Sequence, residues 1–116
     1  MELVAFLGND KEYWGQVKAL VSRGQWDNVV IVKNKNSEEF VIENAEVVKI
    51  DSEKPLLELK KDLMDKLKDK LKEFEVALSI ASGNGKEHMA IVSALLSIPV
   101  GVRLVVYTKE GVEFIN

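Results

Sequence analysis

Residues 74–89 read FEVALSIASGNGKEHM. The run from Phe74 to Ile80 is apolar and strand-like, the mark of a strand buried on both faces. It passes into a small turn, Ser82-Gly83-Asn84-Gly85-Lys86. A long apolar helix pattern begins near Glu87 and runs to Ile98, where Pro99 ends it. A glycine turn between a buried strand and a helix exposes backbone N–H groups at the positive end of the helix, which suits an anion. Lys86 adds a positive charge at the same place.

The same alternation extends outward in both directions. Leu3–Leu7 is a continuous apolar run that reads as a buried strand, followed by the turn Gly8-Asn9-Asp10. Asp10 is placed to cap the next helix. Within Lys11–Ser22, residues Tyr13, Trp14, Val17, Leu20 and Val21 recur at helical spacing, and Gly24 supplies a stop. Val29–Val32 is a second buried strand of β-branched residues. Lys33–Glu39 is polar and turn-like, and Phe40–Ile42 and Val47–Ile50 read as short extended pieces. Pro55 suits a first helical turn. Leu59, Leu63, Leu67 and Leu71 then form one narrow apolar stripe on a charged helix spanning Leu56–Lys72. Val102–Tyr107 and Val112–Ile115 flank Lys109-Glu110-Gly111, which predicts a C-terminal β-hairpin.

Strands alternating with helices predict an α/β fold with a mainly parallel central sheet. The length of 116 residues predicts one domain over 1–116. Ligands in such sheets sit beyond the carboxyl ends of the strands. Gly8–Lys11 and Ser82–Lys86 both meet that description, and right-handed crossovers bring them to one edge of the sheet.

Composition narrows the chemistry. With no cysteine and a single histidine, His88, there is no disulfide, no thiol nucleophile and no His-pair metal site. No cofactor is expected. A net charge of −3 argues against a broad electrostatic footprint for duplex nucleic acid. No apolar run reaches membrane-spanning length. The segment MELVAFL is too short for a signal peptide, so the expected location is the cytoplasm.

Each motif has two readings. Ser82–Lys86 is not a P-loop, because Ile80 and Glu87 stand where that motif needs a glycine and a Ser or Thr; nor is it the dinucleotide fingerprint, which follows the first strand. It is either an anion cradle or a tight turn with a solvated lysine. Gly8-Asn9-Asp10 is either the opposing lip of a pocket or a helix cap. Tyr13 and Trp14 are placed to stack on a base or to pack in the core. His88, in a helical first turn, is either an acid–base group or structural. The Lys60–Lys72 charge run reads as a solvated face.

The order of elements, with VALSIASGNGKEHMAIVSALLSIPVGVRLVVYTKEGVEFI, resembles the CARF domain (CRISPR-associated Rossmann fold). That family carries a strand ending in a turn of the type Ser/Thr-Gly-Gly-Thr-Lys-x-Met, then an Ala- and Leu-rich helix, then a strand led by Gly-Val. Ser82-Gly83, Lys86 and Met89 echo the turn, Ala90–Leu96 the helix and Val100-Gly101-Val102 the return strand. Asn84-Gly85 stands where Gly-Thr is usual, and Met89 comes one residue late. The match is best over about the last 45 residues.

The resemblance implies a Rossmann-like three-layer sandwich that binds a cyclic oligoadenylate, a second messenger of antiviral CRISPR defence, across a homodimer. Cyclic tetra-adenylate is the first choice. Gly8, Asn9, Asp10, Ser82, Gly83, Asn84, Gly85 and Lys86 would line the ligand, and the apolar helix would supply the dimer interface. Some stand-alone members cleave the ring without a metal. In that case Lys86 would stabilise developing charge and His88 would move protons. The alternatives are a structural or interaction protein that dimerises through the apolar helix, and a general mononucleotide-binding domain.

Overall fold

The computed structural model describes residues 1–35 and 40–116. Six strands form one sheet: β1 (Glu2–Leu7), β2 (Asn28–Asn34), β3 (Glu46–Ile50), β4 (Glu75–Ser79), β5 (Gly101–Thr108) and β6 (Gly111–Phe114). Their spatial order is β3-β2-β1-β4-β5-β6. The first five run parallel, and β6 returns antiparallel to β5 as the expected hairpin. Helices α1 (Trp14–Arg23), α2 (Leu56–Leu67) and α3 (Gly85–Leu96) complete the doubly wound, three-layer sandwich. No helix among the described residues is long and apolar enough to cross a membrane.

The strand sequences set the layers. Alternate residues point to opposite faces, and both faces here are covered. Val4, Phe6, Val30, Val32, Val76 and Leu78 pack under α2 and α3, against Leu59, Leu63, Leu67, Ala90, Ile91, Ala94 and Leu95. Leu3, Ala5, Leu7, Val29, Ile31 and Ala77 pack under α1, against Val17 and Leu20. Strands buried on both sides read as unbroken apolar runs, which is why β1, β2 and β4 were visible in the sequence.

Several boundaries differ from expectation. A 3-10 turn, Lys11–Tyr13, precedes α1. Phe40–Ile42 is not a strand; Phe40 is instead buried in the α1-side core, edge-on to Trp14. Only Glu46–Ile50 joins the sheet, parallel to β2. Of the turn-like Lys33–Glu39, Lys33 and Asn34 belong to β2, and residues 36–39 lie outside the described residues. Pro55 is the N-cap position of α2. That helix stops at Leu67 rather than Lys72. Beyond it, the N–H groups of Lys72 and Glu73 go to the buried carboxylate of Glu2, at 2.8 and 3.0 Å, rather than to helical carbonyls. Phe74 does not enter β4 and is 90% exposed. α3 begins two residues earlier than the apolar pattern, at Gly85.

Candidate functional site

The strand order reverses direction between β1 and β4, whose carboxyl ends carry the two glycine turns. In doubly wound sheets this switch point is where a crevice opens. The turns are in direct contact: a Cβ built on Gly8 would lie 2.6 Å from the Cα of Gly83. Gly83 itself has a φ of +110°, and a Cβ there would meet His88 Nε2 and the Phe6 ring at 2.9 Å. Glycine is required at both positions, by close approach at Gly8 and by the left-handed backbone at Gly83.

A polar network stitches the turns together. Gly8 N–H donates to Ser82 Oγ at 2.8 Å, and Ser82 Oγ donates to Asp10 Oδ1 at 2.6 Å. Gly83 N–H is shared between the two Asp10 oxygens at 3.1 and 3.2 Å. Asp10 therefore does not cap the helix after it; its side chain makes no cap bond there. Its carboxylate sits where an external anion would meet the Gly83 amide. Trp14 Nε1 donates to the Gly8 carbonyl at 2.8 Å, and Trp14 stands against Phe40, so it supports the turn from the core. Tyr13 is about half exposed.

The start of α3 carries a second carboxylate. Asn84 Oδ1 accepts from Glu87 N–H, and Glu87 Oε1 accepts from Asn84 N–H, both at 2.9 Å. This reciprocal capping box satisfies two amides and fixes the first turn. Glu87 Oε2 also accepts from Ser52 Oγ at 2.5 Å. Lys86 Nζ donates to the Ser52 carbonyl at 2.8 Å. The loop after β3 is thus clasped to the first turn of α3 through one residue. It is also held to α2 by the Lys54–Asp62 ion pair, whose hydrogen bond holds the Asp62 carboxyl below its usual value.

Between the turns lies a cleft of about 230 Å³ lined by Asn9, Asp10, Gly83, Asn84 and Glu87. Of the residues singled out in the sequence, the fold gathers Asn9, Asp10, Gly83 and Asn84 on this cleft. Gly8 and Ser82 brace it from behind. The N–H groups of Gly85 and Lys86, the first two positions of α3, have no partner among the described residues, as first-turn amides commonly lack one. Lys86 and His88 are not on the lining. His88 Nε2 lies 2.8 Å from the Ser82 carbonyl, which only accepts, so this nitrogen carries the proton. No protein-family model and no curated protein matches the chain.

Glu87, Ser52 and Asn84 as a cap were not expected from the sequence. The Asn-x-x-Glu spacing of residues 84–87 is a readable signal for the box. Nothing local announces Ser52, which arrives from 35 residues away. A larger groove of about 610 Å³ lies against the end of α1, between Lys18, Trp26 and Val41. It holds none of the predicted site residues.

Asp10→Ala is expected to cost about 2 kcal/mol, because it strands the Ser82 hydroxyl and the Gly83 amide in a part-buried place. Asp10→Asn keeps an acceptor and is expected to cost less than half of that. Urea denaturation of the three proteins measures the difference.

Proposed function

We propose that the chain is a ligand-binding Rossmann-like domain that takes a cyclic oligoadenylate, cyclic tetra-adenylate first, across a homodimer. The observation that supports this reading is the meeting of two glycine turns at the β1–β4 switch point, with a helix N-terminus opening onto the cleft between them. A ring phosphate would take the Gly85 and Lys86 amides, where the helix dipole favours negative charge. It would compete with the Ser52 carbonyl for the Lys86 ammonium. A ribose hydroxyl would donate to Asp10, whose charge excludes phosphate from its own position. A two-fold dimer would present two such turns to a ligand with repeated phosphates.

Binding without cleavage is the better-supported form. Cleavage needs a cation and a proton carrier at the reacting phosphate. Here neither Lys86 nor His88 lines the cleft, and His88 Nε2 is engaged with the turn's own carbonyl.

A second reading has its own observation. On α3, Met89 is 61% and Leu96 68% exposed, and with Val92 they line one apolar surface. An interaction protein that dimerises through α3, with no small ligand, would use the same face. The two readings separate on one experiment. Cyclic tetra-adenylate at a hundredfold above Kd stabilises a binder by about 2.7 kcal/mol, a rise of several degrees in Tm for a domain of this size. The ring is expected to remain intact, and Lys86→Ala is expected to weaken binding without lowering the unliganded Tm. No shift with either tetra- or hexa-adenylate rings would remove the sensor reading and leave the interaction protein. Linear products would restore the enzyme.

A further inference from the structure

Asn34 ends β2 at the carboxyl edge of the sheet. Val30 and Val32 on the same strand pack under α2 and α3, so alternation places Asn34 on that face. The register pairs Lys33 with Leu7, and Asn34 with Ile50. Asn34 is therefore level with Gly8, one strand spacing away, about 4.8 Å. Gly8 abuts Gly83, a wall of the cleft. On its other side, Ile50 leads through Asp51 to Ser52, which holds Glu87 and Lys86. Asn34 thus ends the strand that lies between β1, which leads to the cleft, and β3, which leads to the clasp, on the same face of the sheet as α3, without itself lining the cleft.

The residue is 5% exposed, yet its Oδ1 has no hydrogen-bond partner. No hydrogen bond from its Nδ2 is made among the described residues, and of the two polar atoms of the amide only Oδ1 is both buried and unsatisfied. A buried acceptor without a partner lowers stability relative to an apolar side chain of similar shape. It gains when a ligand supplies a donor and an acceptor side by side. Adenine does this: its N6 amine lies next to the N7 acceptor, and an asparagine amide pairs with both.

We infer that Asn34 is the base-reading residue of the site, pairing through Oδ1 and Nδ2 with the adenine of the bound nucleotide. This rests on the proposed reading of the β1–β4 cleft as a nucleotide site. It extends the site along the sheet edge to β2, so that phosphate and base are recognised on neighbouring strand ends.

The test uses two rings, cyclic tetra-adenylate and the same ring built from inosine, which replaces the N6 donor by an acceptor. Wild type is expected to prefer the adenine ring by at least tenfold. Asn34→Val and Asn34→Thr are expected to melt no lower than wild type without ligand. Both are expected to bind the adenine ring at least tenfold more weakly and to bind the two rings alike. Variants that keep the adenine preference would show Asn34 to be a structural residue, with the ring site intact. Equal binding of the two rings by wild type would overturn base reading even if neither variant folds. A wild type that binds neither ring would remove the nucleotide site itself, and this role with it.

Discussion

Gly8→Ala is expected to destabilise the chain by about 3 kcal/mol, the upper end of ordinary overpacking costs. A methyl group there would lie 2.6 Å from the Cα and 2.9 Å from the N of Gly83. Both are backbone atoms, so no side chain can rotate away. Either the end of β1 or the turn after β4 must move. Two of the bonds that join these segments, Gly8 N–H to Ser82 and Gly83 N–H to Asp10, are made at the point of collision. Displacement therefore loses hydrogen bonds as well as packing. Gly85→Ala is the matched control: it lies in the same turn, but a Cβ there meets nothing within 4 Å. It is expected to change stability by less than about 1 kcal/mol. Urea denaturation of both variants measures the contrast. Equal, small losses would mean that the two turns separate freely and that the cleft is not a fixed structure.

The sequence carried the sheet better than the site, for a physical reason. Strands covered on both faces leave long apolar runs, and Leu3–Leu7, Val29–Val32 and Phe74–Ile80 each mark one. The helices left their periodicity in Leu59, Leu63 and Leu67, and in Val17 with Leu20. Boundaries failed where a distant side chain took over. Glu2, some 70 residues away, takes the amides of Lys72 and Glu73, where the leucine stripe predicts continuing helix. Asp10 is a reasonable helix cap by its neighbours, but its carboxylate crosses to Ser82 and Gly83. Lys86 looked like a free cation beside a glycine turn, and its ammonium instead meets a carbonyl from the β3–α2 loop. Asn34 left no trace at all, since an asparagine after Val-Lys reads as the start of a turn. Local pattern reports the covalent neighbourhood. The cleft is made of contacts between chain ends that the sheet brings together.

Phe6→Ala is expected to cost about 3–5 kcal/mol, the range for truncating a buried aromatic. Phe6 is fully buried under α2 and α3, and it joins the core to the site. Its ring stands edge-on to His88, with centroids 6.4 Å apart and planes at 88°. The same ring approaches Gly83 closely enough to exclude a Cβ. Truncation therefore opens a cavity directly beneath the turn. Leu63→Ala, a fully buried leucine on α2 in the same core, is expected to fall in a similar range for leucine truncation, about 2–5 kcal/mol. Stability alone would not separate the two. His88 does, because it is the only histidine in the chain and its ring resonances report the turn alone. Under native conditions they are expected to shift in Phe6→Ala and to stay in place in Leu63→Ala. If both variants left the histidine unmoved, the hydrogen bond from Nε2 to the Ser82 carbonyl would hold the turn without help from the core, and Phe6 would be packing only.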